Sequence, residues 1–497
     1  MNYIGISCGF HDAALSVISD KGEVLFADHS ERYSKIKHDK DLCGAVIEEA
    51  LKHAGDDYEL HYYERPLKKY LRRLRAGEKP SLFSMFTCMN VGLKYVDMLR
   101  NGKYRQIYTH DHHKSHAAGG FQTSPFNEAT VVVIDAIGEF ETISIYDAYY
   151  DKNGIAQYKK LWTQTYPDSI GLFYSAMTKR AGLKPLDEEY ILMGMSAYGN
   201  PTHASKMYND LVDDALNLTF KENLHTGVAD DYLEGADVMD IANSSQLLVE
   251  HLIDKVILKA RLIGKSKNLV YSGGVALNCL ANRNLGKYFE QIWIMPNPGD
   301  AGSSLGAAAL AYGGKIKFTN SYLGYCIPGD YPVDDLLNEL ITRQIVGVAS
   351  GHAEFGPRAL GNRSLLGDPR GIHIKEKIND IKRRQQFRPF APVILEEHVH
   401  QYFTMPSNWR NSRYMQVVST CRFPDLFPAI VHHDGTSRVQ TVPDDGSGIR
   451  KLLEKWYDKT GCPMLLNTSL NIRGEPMVND RNDADRFELT YNVKVCS

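Results

Sequence analysis

The stretch His110–Gly120 reads HDHHKSHAAGG and places His112 and His116 four residues apart. In a helix, residues at i and i+4 lie one above the other on one face, so the two imidazoles can share one metal ion. A neutral ring nitrogen is a good ligand for Zn, Fe, Ni or Cu. The zinc-protease pattern needs a Glu directly after the first His to serve as base. That place is taken by His113, so the segment offers metal ligation without the protease's base.

Two further groups of residues have types suited to chemistry. Asp300 sits in the small-residue loop NPGDAGSSLG, and its carboxylate added to the two imidazoles leaves positions open on a metal for substrate oxygens. The apolar run Asn268–Tyr271 ends in Ser272-Gly273-Gly274, ahead of a helix expected from Val275. Strand, glycine turn and helix let backbone N–H groups approach phosphate closely. Toward the C-terminus, Arg358, Arg363, Lys382, Arg384, Arg388, Arg438 and Arg473 all lie in segments that also contain Gly, Pro, Ser or Asn. Guanidinium forks suit planar and tetrahedral oxyanions. Several of them converging would bind a small phosphate-bearing compound.

The elements that must position these groups have a repeated pattern. Strand candidates at Tyr3–Ser7, Ala13–Ile18 and Glu23–Asp28 are separated by the turn residues Gly9-Phe10-His11-Asp12 and Asp20-Lys21-Gly22. The same strand–loop–strand–turn–strand order returns at 130–162, with the polar loop DAIGE (135–139) after Val131–Ile134. Facing duplicated sheets, each offering a polar loop, are how actin-like ATPases hold a nucleotide, an analogy at the level of fold. Residues 168–199 and 244–262 read as helical, the turn-rich stretch 314–332 as a domain boundary, and Ile345–Ala349 as the first strand of a second domain.

The bulk composition narrows the class. At 497 residues the chain is expected to hold more than one core. A net charge of −3 gives no global reason for a nucleic-acid polymer or an anionic membrane as partner. The local basic run RPLKKYLRRLRAGEK (65–79) reads as a solvated helix face. The scattered cysteines form no C-x-x-C pair, which suits a reducing compartment. Without a secretory pattern at MNYIGISCGFHDAA or a long apolar span, the expected location is the cytoplasm.

Over nearly its whole length the chain resembles the O-carbamoyltransferases of the nodulation-factor, cephamycin and tobramycin type. The blocks that carry the resemblance are collinear and include GISCGFHDAALSVI, ERYSKIKHD, HHKSHAAGGFQTSPFNEATVVVIDAIGE, YSGGVALNCLAN, NPGDAGSSLGAA, FGPRALGNRSLLGDPR, FRPFAP, HDGTSRVQTV and LLNTSLNIRGEP. The resemblance implies an α/β protein with a duplicated actin-like (RNase H-like) N-terminal domain over 1–325. A smaller α/β domain over 340–497 would be similar to the threonylcarbamoyl-adenylate synthase fold. It implies an ATP-dependent enzyme that cleaves carbamoyl phosphate to carbamate, activates carbamate as carbamoyl-adenylate, and transfers it to a hydroxyl of a small-molecule acceptor.

Carried over by position, His112, His116 and Asp300 would be metal ligands, for Fe(II) with Mn, Mg or Zn as alternatives. Gly138, Glu139, Gly273, Gly274 and Asn278 would border the nucleotide. Arg358, Lys382, Arg388, Arg438, Asn467 and Ser469 would hold carbamoyl phosphate, and His11 and Lys37 would stand at the transfer site, His11 as base or orienting donor. A homodimer is compatible with the family. The chain departs from the family pattern at Glu189-Tyr190-Ile191-Leu192-Met193-Gly194, where a cation is usual, and at Arg384-Gln385, where Arg-Glu is usual. Two other activities remain open from the residues: a tRNA threonylcarbamoyl-transfer enzyme and a non-catalytic actin-like nucleotide sensor.

Overall fold

The computed structural model describes residues 1–80, 92–103 and 105–497; the part of the 60–100 stretch that falls at 81–91 lies outside the described residues. The first sheet runs in the order Val24–His29, Ala14–Ile18, Asn2–Ser7, Tyr58–Tyr62, Ile107–Thr109. Its first three strands form an antiparallel meander, and the last two add in parallel to Asn2–Ser7. The second sheet repeats this order and these senses with Ala156–Thr165, Glu141–Tyr150, Glu128–Ile134, Asn268–Ser272 and Gln291–Trp293. Val131, Val132 and Val133 are all fully buried, as expected of a strand covered on both faces.

Two helices lie between the sheets and set the site. Ser303–Tyr312 packs on Asn2–Ser7 and Ala14–Ile18, and His112–Thr123 packs on Glu128–Ile134, Asn268–Ser272 and on Ser303–Tyr312. The approach is close because side chains are missing where backbones meet. A Cβ at Gly5 would stand 1.8 Å from the Ser304 carbonyl oxygen, and one at Gly306 would stand 1.9 Å from that of Ser115. Such distances are inside any van der Waals contact, so Ala at Gly5 would push helix Ser303–Tyr312 off the first sheet, and Ala at Gly306 would push the two helices apart and separate His116 from Asp300.

Residues beyond 332 build a six-stranded mixed sheet in the order Gln440–Val442, Ala391–Leu395, Met464–Ser469, Arg363–Gly367, Ile345–Ala349, Val495–Cys496. Helices Val333–Arg343 and Gly448–Thr460 cover one face through Leu336, Leu340, Ile449, Leu452, Leu453 and Trp456. Helices Ile372–Ile381 and Arg481–Tyr491 contribute Ile374, Ile378, Ala484 and Phe487 to the other core. Each large apolar side chain so buried contributes about 1.5–3 kcal/mol. Within the expected boundary stretch, Tyr322–Ile327 is a strand paired with Gly351–Glu354.

The two halves are tied by specific hydrogen bonds. Arg32 donates to the Gly356 carbonyl, Asn282 Nδ2 to that of Gln416, Gln416 Nε2 to that of Ile294, and Trp409 Nε1 to that of Asn282. One local expectation is corrected. The α-helix expected from Val275 is a short 3-10 turn, Gly274–Leu277. Asn278 Oδ1 accepts the Ala281 N–H there, a side-chain alternative to the helical ladder. No helix among the described residues is long and apolar enough to cross a membrane.

Candidate active site

Helix His112–Thr123 brings the two histidines together as their spacing requires: their Nε2 atoms are 3.1 Å apart. His116 Nδ1 lies 3.1 Å from the Pro298 carbonyl oxygen. A carbonyl only accepts, so Nδ1 carries the proton and neutral His116 presents its lone pair at Nε2. That nitrogen faces Asp300 Oδ1 at 3.2 Å and Asp135 Oδ2 at 3.3 Å. His112 Nε2 lies 3.1 Å from Asp135 Oδ2 and 3.4 Å from Asp300 Oδ1.

This buried set fits a divalent cation. Ligand atoms about 2.1 Å from a tetrahedral ion stand about 3.4 Å apart, close to the separations seen. His112 Nδ1 is buried without a hydrogen-bond partner, with Glu64 Oε2 at 3.7 Å, the position from which a carboxylate orients a metal-bound imidazole. With protons alone, burial disfavours charge on His112, yet Asp300 and Asp135 outweigh it and hold the ring well above the usual imidazole range. Burial likewise pushes Asp135 up, and the two histidines prevail and hold it well below the usual carboxylate range.

From Asp300 a chain of alternating imidazole and carboxylate groups runs along the first sheet. His11 Nε2 is 3.8 Å from Asp300 Oδ2, and His11 Nδ1 is 2.9 Å from Asp12 Oδ2. Asp12 Oδ1 is 2.7 Å from His38 Nδ1, and His38 Nε2 is 2.9 Å from Asp187 Oδ1. Burial alone would lower His11, but Asp12 and Asp300 raise it to about 9. Asp12 and His38 both have positive φ, 50° and 54°, a costly conformation for non-glycine residues that clusters at functional sites. Lys37 Nζ is held by both oxygens of Glu31, at 2.9 and 3.0 Å.

One cavity of about 740 Å³ is lined by His11, Lys37, Asp135 and Asp300 from the first half and by Arg358, Lys382, Arg388, Arg438, Asn467 and Ser469 from the second. Glu354 fixes the loop that carries Arg358, since its Oε1 accepts the N–H groups of Leu360, Asn362 and Arg363. Among the described residues no carboxylate pairs with Arg358, Arg384, Arg388 or Arg438; the strongest electrostatic neighbour of Arg358 is Arg438, that of Arg384 is Arg388, and that of Arg388 is Tyr190. Burial and then Arg438 lower Arg358 to about 9, and the Nε atoms of Arg358 and Arg438 are buried without partners. Lys382 Nζ donates to the Asn471 carbonyl at 2.7 Å and to Ser469 Oγ at 3.3 Å. Asn467 Nδ2 is used by Ala359 and Gln440, while its Oδ1 is buried without a partner.

A metal-type ligand set and a cation cluster without carboxylate partners meet on one cavity, an arrangement compatible with several group transfers. The family comparison decides which. The model for the carbamoyltransferase N-terminus matches residues 2–309, and that for the carbamoyltransferase C-terminus matches residues 337–496. The chain belongs to the carbamoyltransferase family. It is 33% identical to an uncharacterized protein of Synechocystis, over 99% of this chain and 95% of that one. Nodulation protein NolNO of Sinorhizobium fredii is 29% identical over 97% of this chain and 77% of its own. The 3'-hydroxymethylcephem-O-carbamoyltransferase of Amycolatopsis lactamdurans is 26% identical over 95% and 94%. The protein is a transferase enzyme.

Within this carbamoyltransferase some expected site residues stand apart from the cavity. Gly138 packs against His112 and His113, where a Cβ would meet ring carbons at 3.1 and 3.0 Å, and neither it nor Glu139 lines the cavity. Glu139 accepts the Arg65 backbone N–H, and burial raises its carboxyl to about 7. Gly274 and Asn278 line the cavity, but Asn278 is paired with Gln246 through both amide atoms at 3.1 Å. Gly273, at φ 92°, instead joins the two glycine loops, donating to the Pro298 carbonyl at 2.9 Å. Arg363 leaves the cation group altogether: it is fully buried and donates to the carbonyls of Asn479, Ser350, Asn362, Tyr325 and Gly351.

The sequence reading missed Asp135. Its signal was present, because it is the first polar residue after an uninterrupted apolar strand and opens the same loop as Gly138 and Glu139. Only the crossing of that strand with helix His112–Thr123 shows that its carboxylate meets the histidines.

Proposed function

We propose that the enzyme is an ATP-dependent O-carbamoyltransferase acting on a hydroxylated small molecule. Residues 1–325 form an actin-like transfer domain and 340–497 a carbamoyl-phosphate domain. The observation that carries this reading is the single cavity joining Asp135, Asp300 and His11 to Arg358, Arg388 and Arg438. Support for the actin-like reading comes from the identical strand order and senses of the two N-terminal sheets.

In this reading Arg358, Lys382, Arg388, Arg438, Asn467 and Ser469 receive carbamoyl phosphate, whose charge balances guanidinium groups that lack carboxylate partners. Hydrolysis releases phosphate and carbamate. Carbamate decomposes in water, and passage within the one cavity that both halves line shortens its exposure to solvent. A carbamate oxygen displaces pyrophosphate from the α-phosphorus of ATP, held beside Gly274 and Asn278, which line the cavity. His112, His116, Asp135 and Asp300 would hold a divalent cation, Fe(II) or a similar ion, which when bound supplies Lewis-acid polarisation of phosphate oxygens.

The acceptor hydroxyl then attacks the carbamoyl carbon and AMP leaves. His11 is assigned to the acceptor hydroxyl: Asp12 holds its Nδ1–H, and a pKa of about 9 makes its Nε2–H an orienting donor to the hydroxyl oxygen rather than a base at neutral pH. Lys37, neutralised by Glu31, lines the same end.

The purified protein loaded with Fe(II) and given carbamoyl phosphate and ATP is expected to form AMP and pyrophosphate only when both are present. If neither compound is consumed, the assignment is wrong.

A further inference from the structure

The cationic end of the cavity has one neighbour that is neither a cation nor a carboxylate. Tyr190 reaches it from the N-terminal half, with the Arg388 guanidinium carbon 4.9 Å from its ring centroid. Both residues line the cavity, and Tyr190 is 40% exposed there. Its placement is fixed by the three residues that precede it. Asp187 is bonded to His38, Glu188 is paired with Arg473, and Glu189 Oε1 accepts Ser175 Oγ at 2.6 Å. The segment 187–190 therefore spans from the transfer end to the cation cluster, and Tyr190 is its contact with Arg388.

A buried guanidinium with no carboxylate partner needs another source of stabilisation. A carboxylate would supply it but would also occupy the N–H donors and repel an incoming oxyanion. An aromatic face attracts the guanidinium through its quadrupole and, even with one N–H turned to the Tyr190 phenol oxygen, leaves the remaining donors of Arg388 free.

We propose that Tyr190 is a positioning residue of the carbamoyl-phosphate site, holding Arg388 by its ring so that the guanidinium stays charged, ordered and open to phosphate. The inference rests on the assignment of the cationic end made above. It gives the segment 187–190 a role in oxyanion affinity rather than in contact with the nucleotide.

The test is calorimetric titration of the full-length protein with inorganic phosphate and with carbamoyl phosphate. Tyr190→Phe keeps the ring and is expected to bind within about twofold of the natural protein, whereas Tyr190→Ala should weaken both ligands on the order of tenfold. Tyr190→Glu separates positioning from mere anchoring. A carboxylate pairs with Arg388 and so repairs its placement, yet it competes with phosphate, and binding should fall below that of the Ala variant. ATP affinity and melting temperature, measured alongside, should stay within error for Phe and Ala.

Unchanged phosphate binding in Tyr190→Ala overturns the inference, as does a Glu variant that binds as well as the natural protein. A loss in Tyr190→Ala that extends equally to ATP overturns it too, because the ring would then be supporting the fold. Absence of any phosphate or carbamoyl phosphate binding in the natural protein overturns the site assignment itself, and the inference with it.

Discussion

The two ends of the cavity treat buried charge in opposite ways. At the histidine end, Asp135 and Asp300 lie between His112 and His116, so each charge has an opposite within 3.4 Å. At the arginine end, Arg358, Arg388 and Arg438 have no carboxylate partner among the described residues, and Arg384 is held by Asn379 Oδ1 and the Pro389 carbonyl rather than by an anion. The first arrangement is stable with protons and accepts a cation by exchanging them. The second is costly until an anion arrives, since burying unpaired like charge is unfavourable. In the proposed function this contrast lets one cavity collect reagents of opposite demand, a dication at one end and a phosphate-borne carbamoyl group at the other.

The largest expected effect comes from breaking the balanced end. Asp300→Asn removes one of two carboxylates shared by the histidines. It should lower Fe(II) affinity at least about 100-fold, measured by elemental analysis after dialysis against a weak chelator, with loss of AMP formation in parallel. Retention of full metal content would mean that Asp300 is not a ligand and that the balance at this end has another purpose.

A second prediction concerns Glu139, which lies behind the histidine end without lining the cavity and which nearby His112 and Lys68 only partly offset. Burial raises its pKa from 4.5 to about 7, so the folded state favours the protonated form. The corresponding stability is fully present below pH 4.5 and is lost as pH rises through 7. The shift corresponds to about 3 kcal/mol as an upper bound at 1.36 kcal/mol per unit. In the metal-free protein, Glu139→Gln should therefore gain on the natural protein between pH 4.5 and 7, read from urea unfolding at several pH values. A constant difference across that range would show that Glu139 is already balanced.

The smallest effect sharpens the other side of the contrast. Arg358→Met removes one of the like charges and keeps an apolar stem. It should stabilise the ligand-free protein by about 1 kcal/mol, seen as a raised melting temperature. The same change should abolish the extra stabilisation that carbamoyl phosphate gives the natural protein. A lowered melting temperature without ligand would mean that Arg358 has a partner anion in the resting protein.

Much of this was legible from residue types and spacing. The i/i+4 histidines face together because a helix dictates it, and the strand pattern 2–29 recurs at 128–165 because alternating apolar residues and Asp/Gly turns were visible twice. Asp300 and the cation-bearing loops were identifiable by composition, and collinear motifs gave the family. What did not follow is equally specific. A strand, a glycine turn and an apolar residue suggested a helix after Gly274, but Asn278 turned the chain aside. Arg363 looked like its neighbours in sequence, yet backbone carbonyls claim all its donors.

By itself the sequence determined which residue types were available, their local periodicity, and the family to which the chain belongs, because these depend on neighbours along the chain. The tertiary structure decided which of them meet. Asp300 reaches the histidines only because Gly306 lets the helix that follows it settle against theirs between the sheets. Tyr190 reaches Arg388, nearly two hundred positions away, only because the halves close on one cavity. Convergence of distant charges is a property of packing, and no local pattern encodes it.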